Sequence, residues 1–363
     1  MIVVRPFDHT PDGVSVHEYE LHAPTGARVR LMDFGAAILG IEVPDAHGTQ
    51  ADVALGLASL TDYLDNPACH GCTVGPSANR TDRGEVPLAN ATYQLPRNDG
   101  PHQDNNLHTD LAHGLHKRVW NAQVDEAANA VTFSIELPDG EFGLPGNRTC
   151  SVTYALAEHE GATQLTVRHR CATDATTFVN MTNHTYFNLT GHAAGSVAQH
   201  LVRIAANHYL PLRPDSVSAG TVDPVAQTPF DFRTPKPLGQ HIENVNGQLA
   251  IARGYDHCFC IDGFDPNPSA NPRPALHAED PASGRTLDIL ITAPGAHLYT
   301  GNWLDDAHGK GGSTYGPHAG FAFEPEFYPD NLHQPSWPHP TCAPQHPYDQ
   351  RIVYRFGARP ARS

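Results

Sequence analysis

Apolar and polar residues alternate in short runs along most of this chain, the period of a half-buried strand. Residues 14–21 and 28–32 flank the turn Pro24-Thr25-Gly26 and predict a hairpin. Residues 37–44 predict another strand, stopped by Pro44, and residues 51–56 are a largely apolar run. Alternation is clearest at 131–137 and 150–156. It recurs at 164–170, 176–191, 286–291, 296–299 and 348–356. At 320–330 a strand runs into a proline-bounded loop, while 265–274, rich in Pro and Asn, reads as an insertion loop. No long amphipathic helix, internal repeat or interdomain linker interrupts this texture. With 31 Gly and 32 Pro the chain has many turns. The prediction is one all-β unit over residues 1–363, a large antiparallel β-sandwich with few helices.

Charge narrows the partners. The formal net charge is −16, which argues against nucleic acid or an anionic membrane, since both need a basic surface. No apolar span is long enough to cross a bilayer, and the first residues do not resemble a signal peptide. Seven scattered cysteines do not resemble a disulfide framework and point to a reducing cytoplasm. The histidine count of 24 raises the question of a metal. The only CxxC, Cys69-His70-Gly71-Cys72, supplies half of a tetrahedral site, and there is no His-x-x-x-His, so the expectation is no metal. Oligomeric state is left open.

The stretch Thr182-Asn183-His184-Thr185-Tyr186-Phe187-Asn188-Leu189-Thr190-Gly191 predicts a strand of unusual content. Alternation would put Thr182, His184, Tyr186 and Asn188 on one face. A hydroxyl, an imidazole, a phenol and an amide within that span suit a polyhydroxylated ligand, with a histidine placed to move a proton. The loop 71–84 holds Asn79 and Arg80 among glycines, a texture that often carries function. Glu324 follows Phe321-Ala322-Phe323, where a charge is awkward unless it faces a cleft.

Taken together, these polar stretches resemble the aldose 1-epimerase family. Asn79-Arg80 is similar to the family's Asn-Arg loop, and Leu107-His108 with 114–120 to its His-Gly-Gly segment. Residues 182–191 match its Thr-Asn-His-x-Tyr-Phe-Asn-Leu strand, and Gly254-Tyr255-Asp256-His257 its Tyr-Asp-His element. Tyr299-Thr300-Gly301-Asn302 is similar to a further segment, and Glu324 through Asp330 to its Glu-(x)5-Asp strand and loop. The motifs fall in family order over most of the chain. Thr109-Asp110 replaces the family's double glycine, so either His108 or His113 takes the binding role. Pro325-Glu326 replaces a common Thr-Gln, and His297 stands where some relatives have Gln.

The resemblance implies the galactose mutarotase-like supersandwich fold and interconversion of the α and β anomers of free aldoses such as galactose or glucose. It assigns Glu324 as base and His184 as acid. Arg80, Asn79, Asp256 and His108 or His113 would hold hydroxyls, with His297 nearby. The reaction needs two proton transfers and no cofactor. Physically, nearby negative charge from Glu324 and Asp256 would keep His184 protonated. Two other readings compete. A glycoside hydrolase would use Asp256 and Glu324 as its two carboxylates but leave the histidine strand without a task. A non-catalytic carbohydrate-binding module would have no need of both Glu324 and His184.

Overall fold

The computed structural model describes residues 2–88, 91–243, 247–267 and 269–359. The alternating runs assemble into three large antiparallel sheets. The first follows chain order through Ile2–His9, Ser15–His22, Arg28–Met32, Ala37–Pro44 and Gln50–Asp52. The second has nine strands. Its spatial order is Asn121–Asp125, Ala130–Leu137, Arg148–His159, Ala162–Thr173, Tyr348–Ala358, Arg285–Ile291, Arg273–Glu279, Leu201–Ile204 and Lys236–Pro237. The third has six, ordered Tyr186–Phe187, Phe321–Glu326, Gly295–Tyr299, Asp256–Ile261, Ala206–Tyr209 and Asp223–Pro224. Among the described residues, α-helix is confined to Leu60–Asp65 and Gly247–Ala252.

The inward faces of the sheets share one core. Leu21 and Val29 of the first sheet, Val152, Val167 and Tyr354 of the second, and Phe259, Leu298 and Phe321 of the third belong to a single buried cluster. Strand Arg148–His159 shows why period-2 reading succeeds here: Cys150, Val152, Tyr154 and Leu156 are buried, while Ser151, Thr153 and Ala155 between them are half-buried. Phe187 joins the sheets by packing its ring on Tyr354, Phe356 and Phe321, with centroids 5.3, 6.2 and 6.0 Å away. Its side chain is fully buried. Phe187→Ala is therefore expected to destabilise the fold by about 3–5 kcal/mol, read from denaturant or thermal unfolding. A loss under about 1 kcal/mol would mean that the sheets are not clamped at this ring.

Three differences from the sequence expectation have physical causes. Residues 176–191 are not one strand. They form the two-residue pieces Thr177–Phe178, Thr182–Asn183 and Tyr186–Phe187, each pairing with a different partner. The asparagines hold this path by bonding loop carbonyls: Asn183 Nδ2 donates to Gly71 O, and Asn188 Nδ2 to Gly195 O and Ala319 O. Asn188 thus braces backbone instead of sharing a ligand face with His184. The loop at 265–274 ends earlier than its composition suggests, because Arg273 already opens strand Arg273–Glu279 and donates to the carbonyls of Ile261, Ile291 and Ala293. Strand Asn121–Asp125 is exposed along its whole length, so no buried face marks it in the sequence.

Candidate active site

Three neighbouring strands of the six-stranded sheet carry the chemistry. Register sets Cys258 opposite His297 and His297 opposite Glu324, so these side chains form a row across the sheet. Asp256 and Glu326 lie two residues along the outer strands, diagonal to His297 and on its face. Phe321 and Phe323 alternate with Ala322 and Glu324, sending the phenyl rings to the core and Glu324 to a cavity of about 360 Å3. Gly254 precedes this wall with φ +146, and a Cβ there would collide with the Asn302 side chain. Asn302 in turn donates to the carbonyls of Ala252 and Tyr255, fixing the approach to Asp256.

The opposite wall comes from loops. The short strands Arg80–Thr81 and Asn106–Leu107 pair and bring Asn79 and His108 together. Both residues take left-handed backbone, φ 58 and 53, a conformation that non-glycine residues keep only where surroundings impose it. The imposing contacts are reciprocal: His108 N donates to Asn79 O, and Asn79 N donates to His108 Nδ1, both at 3.1 Å. Because Nδ1 accepts, the neutral ring carries its proton on Nε2 and offers a donor. Arg80 is anchored by Nε on Asp99 at 2.8 Å and reaches Asp256 at 3.6 Å. His184 is held through its backbone, with its N on Cys72 O at 2.9 Å and its O accepting from Gly71 N at 3.0 Å. Its ring packs against Tyr186, His108 and Tyr299.

His184 Nε2 lies 3.5 Å from Glu324 Oε1, and both side chains are nearly inaccessible. Burial pushes the Glu324 carboxyl well above the usual range; His297 pulls it down, while Glu326 and Asp256 push it up. Burial also pushes His184 down to about 3, and the charges of His70 and His297 add to that. This corrects the expectation of a protonated His184. Asp256 does favour its cation, but desolvation wins. Burial lowers His108 too. Asp256 behaves oppositely. Burial alone would raise its carboxyl, but the hydrogen bond from His297 at 2.8 Å and the Arg80 charge hold it below the ordinary range. Ligand atoms of His108, His184 and Glu324 lie within 4.8 Å of one another. With His108 Nε2 protonated only two remain free to bind a metal, fewer than the protein ligands that zinc takes.

The predicted residues thus separate. Glu324, His184, Arg80, Asn79, His108 and Asp256 line the cavity. His113 does not: its side chain is 77% exposed and pairs with Asp110 beside a separate surface depression, so of these two it is His108 that lines the cavity. His297 does not line the cavity either. It stands behind Asp256, 2% exposed. The sequence reading missed Tyr299 as a wall residue, Asp99 as the anchor of Arg80, and Glu326. Alternation with Glu324 would have found Glu326. Cys69 of the CxxC pair lies at the cavity wall, and all seven cysteines are free.

The chain is similar to known proteins. The model of the aldose 1-epimerase family matches residues 17–355. The chain is 36% identical over 345 residues to galactose mutarotase of Rattus norvegicus, covering 95% of each. It is 32% identical over 348 residues to aldose 1-epimerase of Escherichia coli strain K12, covering 95% of this chain and 96% of the relative. Among solved structures, galactose 1-epimerase from Lactobacillus acidophilus superposes with a TM-score of 0.81 at 25% identity over 99% of each chain. An aldose epimerase homologue from C. elegans gives 0.80 at 27% identity, over 93% of this chain and 98% of the other.

Proposed function

The chain belongs to the aldose 1-epimerase family, and from that premise we propose that it interconverts the α and β anomers of free aldoses with Glu324 as general base and His184 as general acid. The observation that carries the residue roles is the 3.5 Å approach of His184 Nε2 to Glu324 Oε1 at a cavity that also presents Arg80, His108 and Asp256. Glu324 takes the proton of the C1 hydroxyl while His184 gives one to the ring oxygen. The C1–O5 bond breaks and leaves the open aldehyde. Rotation about C1–C2 exposes the other carbonyl face. The ring oxygen then attacks C1, returns its proton to His184, and O1 regains a proton from Glu324. No atom or charge is left over.

Arg80 and His108 donate to sugar hydroxyls and Asp256 accepts, which suits neighbouring hydroxyl groups. Asp256, tied to His297 and facing Arg80, serves as an anchor; the hydrolase reading, which needs it as a second reacting carboxylate, is not favoured. We place the protein in a reducing cytoplasm, as its free cysteines suit. We treat residues 1–363 as one unit, since the three large sheets share a core. Among the described residues, no helix is long and apolar enough to cross a membrane.

Burial disfavours charge on both groups, and we infer that the acid and base share one proton. The carboxylate–imidazolium pair and the carboxyl–imidazole pair hold the same number of protons, so one protonation state of the pair serves both halves of the reaction. A second proton is added only near the lowered value of His184, about 3, and the shared proton leaves only as pH rises through the raised value of the Glu324 pair. The kcat/KM profile is therefore expected to hold on the acid side until about pH 3 and to fall as pH rises through the raised Glu324 value. An acid-side loss centred near the ordinary imidazole value of about 6.5 would contradict a shared proton. The first test is polarimetry of freshly dissolved α-D-galactose and α-D-glucose. Faster decay of rotation than in buffer is expected; no acceleration for either sugar would remove the proposed substrate class.

A further inference from the structure

His297 and Glu326 have no place in the two proton transfers, yet they are among the most deeply buried ionisable groups of the molecule, 2% and 0% exposed. Isolated buried charges are costly, so such groups persist where they pair. His297 Nε2 lies 2.8 Å from Asp256 Oδ1, and its Nδ1 lies 3.5 Å from Glu326 Oε1. An imidazole between two ionised carboxylates presents a donor to both only with a proton on each nitrogen. The other groups facing this point are Cys258 and Glu324 in the register row, Arg80 and His257 toward Asp256, and His184 and His108 across the cavity. Asn79 faces Glu326. Among these, His257 accepts from Asp256 N through Nδ1, so its neutral form is already committed.

We propose that His297 is a positioning residue of the anomer-interconverting site, held as an imidazolium by Glu326 so that it fixes Asp256, ionised and oriented, toward the sugar hydroxyls. This rests on the reading of the cavity given above. Burial raises the Glu326 carboxyl while His297 and Asn79 pull it down, and in its ionised form it supplies the negative charge that makes the cation stable. His297 spends one nitrogen on that charge and the other on Asp256 Oδ1, leaving Asp256 Oδ2 on the side of Arg80. Although burial favours the neutral ring, the two carboxylates push His297 up to about 10. The cation also sits opposite Glu324 and tempers the rise that burial gives the base. The wall of the site therefore carries a built-in counter-ion for its binding carboxylate.

Two measurements test this. Nitrogen NMR of isotope-labelled histidine, with the His297 signals assigned by their loss in H297Q, reads the ring directly. Imidazolium signals persisting beyond about pH 8 are expected, where a free histidine is neutral. Kinetically, His297→Ala leaves Asp256 with Arg80 alone; KM for galactose should rise about tenfold or more while kcat changes less. The H297Q/E326Q double variant keeps an amide donor for Asp256 with no stranded charge, and should recover most of that KM loss. A neutral His297 ring in the wild type at neutral pH would overturn the proposal, as would a folded H297A whose KM is unchanged. If H297A does not fold, the ring signals of the wild type decide. If the wild type fails to accelerate mutarotation while His297 is cationic, the sugar reading fails and the ion-pair geometry stands.

Discussion

Replacing Glu324 with Gln is expected to lower kcat/KM for galactose mutarotation by about 10²–10⁴-fold, the usual contribution of one general acid or base. The substitution keeps shape and volume and removes only the proton-accepting oxygen. Glu324 sits on a central strand, 2% exposed, with Oε2 unpaired. Its burial already favours the uncharged form, so a neutral amide should cost the fold little and stability should be unchanged or slightly higher. The combination of lost activity and retained melting temperature separates a catalytic role from a structural one. Mutarotation in E324Q within about tenfold of the wild type would overturn the assignment of the base.

His184→Asn is expected to reduce kcat/KM by a similar factor, about 10²–10⁴, by removing the proton donor to the ring oxygen. Asn preserves a polar side chain in a packed setting of Tyr186, Tyr299 and His108 and avoids the larger cavity that Ala would leave. If the two groups share one proton, neither works without the other. The E324Q/H184N double variant should then lose hardly more than the worse single variant, by polarimetry at saturating and at limiting sugar. Multiplying losses would mean that the two act independently and that their 3.5 Å approach is incidental.

Much of this was legible before the fold was known. Period-2 alternation located strands such as Ala130–Leu137 and Arg148–His159, because each buries one face against a shared core. It failed at residues 176–191, where three short pairings with separate partners override a single pleat, and at the wholly exposed strand Asn121–Asp125. Six of the eight candidate site residues line one cavity. His113 departs because the left-handed turn at His108 and Thr109 aims His108 inward and leaves the next histidine in solvent. Nothing local in the sequence signals that turn.

By itself the sequence determined the all-β class and the residue types from which a proton-moving, hydroxyl-binding site could be built. Both follow from local pattern and side-chain chemistry. Only tertiary structure decided which of His108 and His113 faces the cavity, that His297 stands behind Asp256, and that His184 and Glu324 meet at 3.5 Å where burial disfavours charge on both. Those outcomes depend on register between strands distant in the chain and on removal of water around the groups. Desolvation and a partner two or three ångströms away set a group's charge, and neither exists until the sheets have closed.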